Sequence, residues 1–112
     1  MTNGSTQGAG ERVARYGKMV ASAGRGGEVA ELLLAAAAEM DGDPGCELYL
    51  VQHETGAPDT IWVTELWRSQ ADLDQAIAQI RGSESVAQVM ALVEAGEAVE
   101  LTLLGGKGPV PA

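Results

Sequence analysis

The run Thr60 to Trp67 (TIWVTELW) constrains this chain more than any other stretch, because its strict two-residue alternation fits a β-strand. Ile61, Val63, Glu65 and Trp67 share one face, and Trp62, Thr64 and Leu66 share the other. A strand so rich in β-branched and aromatic residues is stable only inside a sheet, so the rest of the chain must supply its neighbours. Three segments qualify. Cys46 to His53 (CELYLVQH) follows the turn signal Pro44-Gly45 and leads into a loop with Gly56 and Pro58. Glu97 to Leu104 sets Val99, Leu101 and Leu103 against Ala98, Glu100 and Thr102. Tyr16 to Ala23, bounded by Gly24-Arg25-Gly26-Gly27, is a plausible first strand.

Helical period fills the gaps between these strands. Val29, Leu32, Leu33, Ala36, Ala37 and Met40 form one stripe, with Gly42 placed to stop the helix. Ser69-Gln70-Ala71-Asp72 has the S-x-x-[DE] form that starts a second helix, with the stripe Leu73, Ala76, Ile77 and Ile80 and an end at Gly82. Ser83 caps a third helix with the stripe Val86, Val89, Met90 and Val93, closed by Gly96. The order βαββααβ predicts an α+β ferredoxin-like sandwich, a four-stranded antiparallel sheet under one layer of helices. One helical layer leaves the second sheet face apolar and bare. A second copy packing face to face as a C2 homodimer is the simplest cover.

The chain has 112 residues, enough for one domain, with residues 12–104 folded and Gly- and Pro-rich tails expected at 1–11 and 105–112. Seven Lys+Arg against sixteen Asp+Glu give a net charge of −9, which argues against nucleic acid and anionic membrane surfaces as partners. The longest apolar run, Leu32 to Ala38, is too short to span a bilayer, and the N-terminal residues lack a signal-peptide pattern. A single cysteine, Cys46, cannot form an internal disulfide, so a soluble, cytoplasmic protein is expected.

Pro44-Gly45-Cys46-Glu47-Leu48-Tyr49, Pro58-Asp59, Trp62-Val63-Thr64-Glu65-Leu66-Trp67-Arg68-Ser69 and Leu73-Asp74 together resemble the antibiotic biosynthesis monooxygenase family of dimeric α/β-barrel proteins. That family's pattern is P-G-C with a nearby Tyr, then E-x-W-x-S, and the resemblance covers about residues 14–104. It implies a homodimer that oxygenates a small aromatic, quinol or polyketide-like molecule with O2 and needs no metal, flavin or haem. The substrate would supply the electrons, while the protein holds its oxyanion in a dry pocket. The same barrel also hosts non-redox cyclases and isomerases, and a small-molecule-binding or structural dimer without catalysis is a further reading.

His53 is the only histidine, and therefore either the one imidazole base available or a strand-end surface residue. Family members often carry a His nearby, but here its spacing from Tyr49 is one residue longer than in some of them. Trp67 matches the family's E-x-W tryptophan, whose indole N–H can bond a substrate oxygen; the alternative is a packed core Trp. Val63, a substrate-binding candidate on the resemblance, stands where some of those enzymes place an Asn four residues before the Trp, so their Asn–Trp oxygen clamp is incomplete here. The histidines that many members carry further on are replaced by Asp74-Gln75-Ala76 and Gly82-Ser83-Glu84-Ser85. Glu65 corresponds to the pattern's Glu, either a buried hydrogen-bond organiser or a member of a dimer-interface salt bridge, and a buried carboxylate needs a partner that an Arg or Lys would supply. Tyr49, Trp62 and Met90 either line an aromatic ligand's pocket or fill the core. Neither Gly24-Arg25-Gly26-Gly27 nor Gly105-Gly106-Lys107-Gly108 completes a nucleotide-binding motif.

Overall fold

The computed structural model describes residues 11–108, so the expected tails at 1–11 and 105–112 lie largely outside the described residues. Strand β1 (Val13–Ala21) leads to helix α1 (Gly26–Glu39) and a 3-10 turn (Met40–Gly42). Strands β2 (Cys46–Glu54) and β3 (Ala57–Trp67) follow as a hairpin, then helices α2 (Gln70–Ile80) and α3 (Glu84–Leu92), then strand β4 (Val93–Thr102). The sheet order is β2-β3-β1-β4, antiparallel throughout, giving the α+β ferredoxin-like architecture that the periodicity predicts.

Local chemistry sets the helix starts. The Ser69 and Ser83 hydroxyls accept from the Asp72 and Val86 N–H groups, each bond satisfying one orphan donor. Helix α1 has no side-chain cap of its own. Asp59, on β3, instead accepts from the Gly24 and Gly26 N–H groups at 2.9 Å each. A Cβ at Gly26 would stand 2.1 Å from the Pro58 carbonyl oxygen, so only glycine lets the helix start this close to β3.

Three boundaries differ from the sequence expectation, each because pairing overrides local signals. The first strand begins at Val13 rather than Tyr16, since Val13 pairs with both Trp67 and Thr102. The first helix does not run on to Gly42: it tightens into the 3-10 turn, and Gly42 does not take a left-handed conformation. The third helix stops at Leu92, and Gly96 lies inside β4 opposite Met19, because β1 recruits Val93 onward into the sheet. Met90 accordingly leaves the expected stripe, 62% exposed, while Val89 and Leu92 pack inward.

The core has two parts beneath the helices. Ala21, Val29, Leu33, Ile61 and Val63 form one, and Val13, Trp67, Leu73 and Ala76 form the other, flanked by Met40, Cys46 and Ile77. On the opposite sheet face Tyr16, Leu50, Val99 and Leu101 are exposed. Among the described residues no helix is long and apolar enough to cross a membrane.

Candidate functional site

The register builds the site from three neighbouring strands. Glu65 of β3 sits opposite Arg15 of β1 and Tyr49 of β2, so all three project to the helix-covered side. Trp67 follows two residues later on the same face, opposite Val13 and Cys46. Glu65 is only 5% exposed, and both its oxygens are engaged. Its Oε1 accepts from the Trp67 Nε1–H at 2.8 Å, and its Oε2 accepts from Arg15 Nη1 at 3.1 Å. The carboxylate is thus paired and hydrogen-bonded, as a buried charge must be. Arg15 is the partner that Glu65 requires, and sequence reasoning did not single it out.

Trp67 is 2% exposed, wedged among Val13, Leu73 and Ala76, so its indole N–H faces Glu65 rather than open space. Burial, and next the charge of Glu65, push the Tyr49 phenol up to about 12. The same two causes push the Cys46 thiol up to about 11. Tyr49 is therefore a protonated O–H donor at neutral pH, and its hydroxyl makes no hydrogen bond among the described residues. Cys46 remains a thiol, a poor nucleophile.

The other predicted residues fall elsewhere. His53 is exposed near the end of β2, its Nδ1 3.1 Å from the Glu54 carbonyl oxygen. It pairs with Ile61, six residues along β3 from Trp67, which at ~3.3 Å per residue is about 20 Å away. Trp62 lies on the open sheet face, donating its Nε1–H to Glu54 Oε1 at 3.2 Å with the Lys18 ammonium 5.4 Å from its ring. Val63 is buried against α1 in the first core cluster. Met90 belongs to neither cluster. The structure therefore brings Trp67, Glu65 and Tyr49 together and leaves His53, Trp62 and Met90 apart from them.

A groove of about 620 Å³ runs between the end of α1, the 3-10 turn and α2. Met40, Arg68, Asp72, Gln75, Ala76 and Gln79 are among its walls, and neither Trp67 nor His53 reaches it. Alternation patterns point to strands and helix faces and carry no signal for this groove, which depends on where α2 docks. Among the described residues there is no cluster of three or more His, Cys, Asp or Glu that could hold a metal ion.

The family model for antibiotic biosynthesis monooxygenases matches residues 13–91. A structure from Chloroflexus aurantiacus designated an antibiotic biosynthesis monooxygenase is 30% identical, with a TM-score of 0.74 over 87% of this chain and 97% of that one. One from Deinococcus radiodurans with the same designation is 22% identical, with a TM-score of 0.74 over 89% and 99% of the two chains. A variant of SnoaB, a cofactor-independent oxygenase from Streptomyces nogalater, is 17% identical, with a TM-score of 0.74 over 85% and 95%. The last two speak to the fold alone. No curated protein sequence matches this chain.

Proposed function

The chain belongs to the antibiotic biosynthesis monooxygenase family, and from that premise we propose that it is a cofactor-independent monooxygenase acting on a small aromatic, quinol or polyketide-like molecule. One observation carries the reading: the E-x-W residues Glu65 and Trp67 form a buried, hydrogen-bonded pair beside Tyr49, whose hydroxyl is free to donate. In such a reaction a substrate CH2 group and O2 give a carbonyl and water, with both electron pairs drawn from substrate bonds. The protein's tasks are to hold the substrate oxygen as it gains charge and to keep water out. Tyr49 O–H serves as the oxyanion donor, and its high pKa keeps the proton on it. Trp67 is the buried ring that backs this site, and Glu65 with Arg15 fixes its angle. His53, far along the ladder from Trp67, is assigned no role in this reading.

A second reading, a non-redox cyclase or isomerase or a binding dimer without turnover, draws on the fact that the Trp67 N–H is already engaged. Oxygen uptake with anthrone and quinol probes separates the two. The monooxygenase reading expects uptake that Tyr49→Phe lowers at least tenfold and His53→Ala leaves alone. No uptake with any probe supports the second reading.

The active form is a homodimer in this proposal. The exposed Tyr16, Leu50, Val99 and Leu101 make one face of the sheet too apolar for water, and a second copy of that face covers it. The single cysteine, Cys46, which has no internal partner for a disulfide, suits the reducing cytoplasm.

A further inference from the structure

The two edges of the sheet are guarded differently. On β2 the pairing with β3 shifts register between Cys46 and Leu48 and again between His53 and Glu54, and such irregularities spoil an edge as a template for another strand. β4, the other edge, pairs with β1 without a shift from Thr102 back to Ala95. It has no proline, lysine or arginine between Val93 and Thr102, and every residue of the strand after Val93 is exposed.

The free backbone groups of that edge follow from the ladder. Leu103 donates its N–H to the Arg12 carbonyl, so antiparallel alternation turns the N–H and C=O groups of Gly96, Ala98, Glu100 and Thr102 away from β1. Among the described residues no strand pairs with them. The side chains along the strand are acidic: Glu94, Glu97 and Glu100 recur at every third position, and none belongs to an ion pair among the described residues. Glu97 stands opposite Lys18 and Glu100 opposite Arg15, on alternate faces of the sheet. Both cations are engaged elsewhere, Lys18 over the Trp62 ring and Arg15 with Glu65.

We propose that the outer edge of β4 is a docking site for an extended, basic segment of a partner protein. The segment adds a strand to the sheet and sets Lys or Arg side chains against Glu97 and Glu100. Main-chain bonds to the outward residues supply the attachment, and charge supplies the selection. A second copy is disfavoured on this edge, because each chain has a net charge of −9 and self-pairing would bring two acidic strands together. A basic segment instead neutralises carboxylates that the fold leaves unpaired. The added strand lies in the plane of the sheet, so the site is compatible with two copies packed face to face and is independent of the monooxygenase reading.

Amide hydrogen exchange and calorimetric titration of the full chain with two synthetic peptides, one alternating Lys with Thr and one alternating Glu with Thr, test this. The Lys peptide should slow exchange at Gly96, Ala98 and Glu100 at least tenfold and leave the amides of β2 unchanged. The Glu peptide should bind at least tenfold more weakly. A Lys peptide N-methylated at every residue keeps its charge and loses its N–H groups, and it should give no protection. Replacing Glu97 and Glu100 together by Gln, with the circular dichroism spectrum unchanged, should weaken the Lys peptide at least fivefold. Equal binding of the Lys and Glu peptides, full affinity of the methylated peptide, indifference to the double substitution, or unchanged exchange at the three amides overturns the proposal. So does protection of those amides in the free protein that dilution removes, since a second copy would then occupy the edge.

Discussion

Replacing Trp67 by Phe keeps an aromatic ring in the core and deletes one N–H. That group donates to Glu65 Oε1 at 2.8 Å, and Glu65 is 5% exposed, so water cannot easily replace it. Losing a hydrogen bond to a buried charged acceptor costs about 1.5–3 kcal/mol. The smaller ring leaves ~35 Å³ unfilled, worth roughly 0.8 kcal/mol at 24 cal/mol per Å³. The expected loss is therefore about 2–4 kcal/mol, a large part of the 5–15 kcal/mol typical of a domain. With a urea slope of about 1–1.5 kcal/mol/M the midpoint should fall by around 2 M. Far-UV circular dichroism at fixed protein concentration is the suitable probe, since the substitution removes a fluorophore and dimerisation would make stability concentration-dependent. A double-mutant cycle with Glu65→Leu isolates the bond: without the carboxylate, Trp67→Phe should cost only the packing component, about 1 kcal/mol. If the substitution costs the same in both backgrounds, or under about 0.5 kcal/mol in the parent, the Trp67 N–H does not anchor Glu65 and the account of the site is wrong.

Other outcomes follow from single contacts. Gly26→Ala drives a methyl onto the Pro58 carbonyl and should abolish cooperative unfolding, whereas Gly42→Ala, with nothing within 4 Å, should leave the midpoint within about 0.5 kcal/mol; chemical denaturation of both compares them. The Gly24 and Gly26 N–H groups hold the Asp59 carboxyl below its usual range, so its folded pKa lies under the unfolded value of 3.8. Its stabilisation is complete above that unfolded value and disappears as pH falls through the folded one. Asp59→Asn should accordingly melt lower than the parent at pH 7, with the gap closing in melts below pH 3.8. Leu50, 47% exposed on the open face, should on replacement by Glu halve the mass seen by light scattering, from twice 11.5 kDa to the single-chain value. A parent protein already monomeric at micromolar concentration would refute the proposed homodimer.

Elements whose signals are local were legible in the sequence. Ser69 and Ser83 announce their helices through hydroxyls that reach only three residues ahead, and the alternation from Ile61 to Trp67 names the face that is later buried. What depended on partners was less so. Gly96 looks like a helix stop until β1 is present to draw it into a strand opposite Met19. Met90 sits at a helical spacing that fits the expected stripe, but α3 ends two residues later and packs through Val89 and Leu92 instead. Glu65 signalled its need for a cation, but no local rule selects Arg15, fifty residues earlier; only the antiparallel register does. The groove beside Met40 was invisible because a concavity belongs to the docking of α2 and to no segment by itself.

Among the described strands Val13–Ala21 comes earliest in the chain, and it lies between β3 and β4. During synthesis both its hydrogen-bonding edges stay unsatisfied until Ala57–Trp67 emerges, and one of them until Val93–Thr102 does. Ribosome-bound chains thus carry an open strand template until those partners emerge, the condition under which strands find the wrong neighbour. Pairing across such long stretches of sequence also makes closure slow compared with helix formation. Chains stalled before residue 93 should therefore depend on chaperones more heavily than chains in which Val93–Thr102 has emerged and paired.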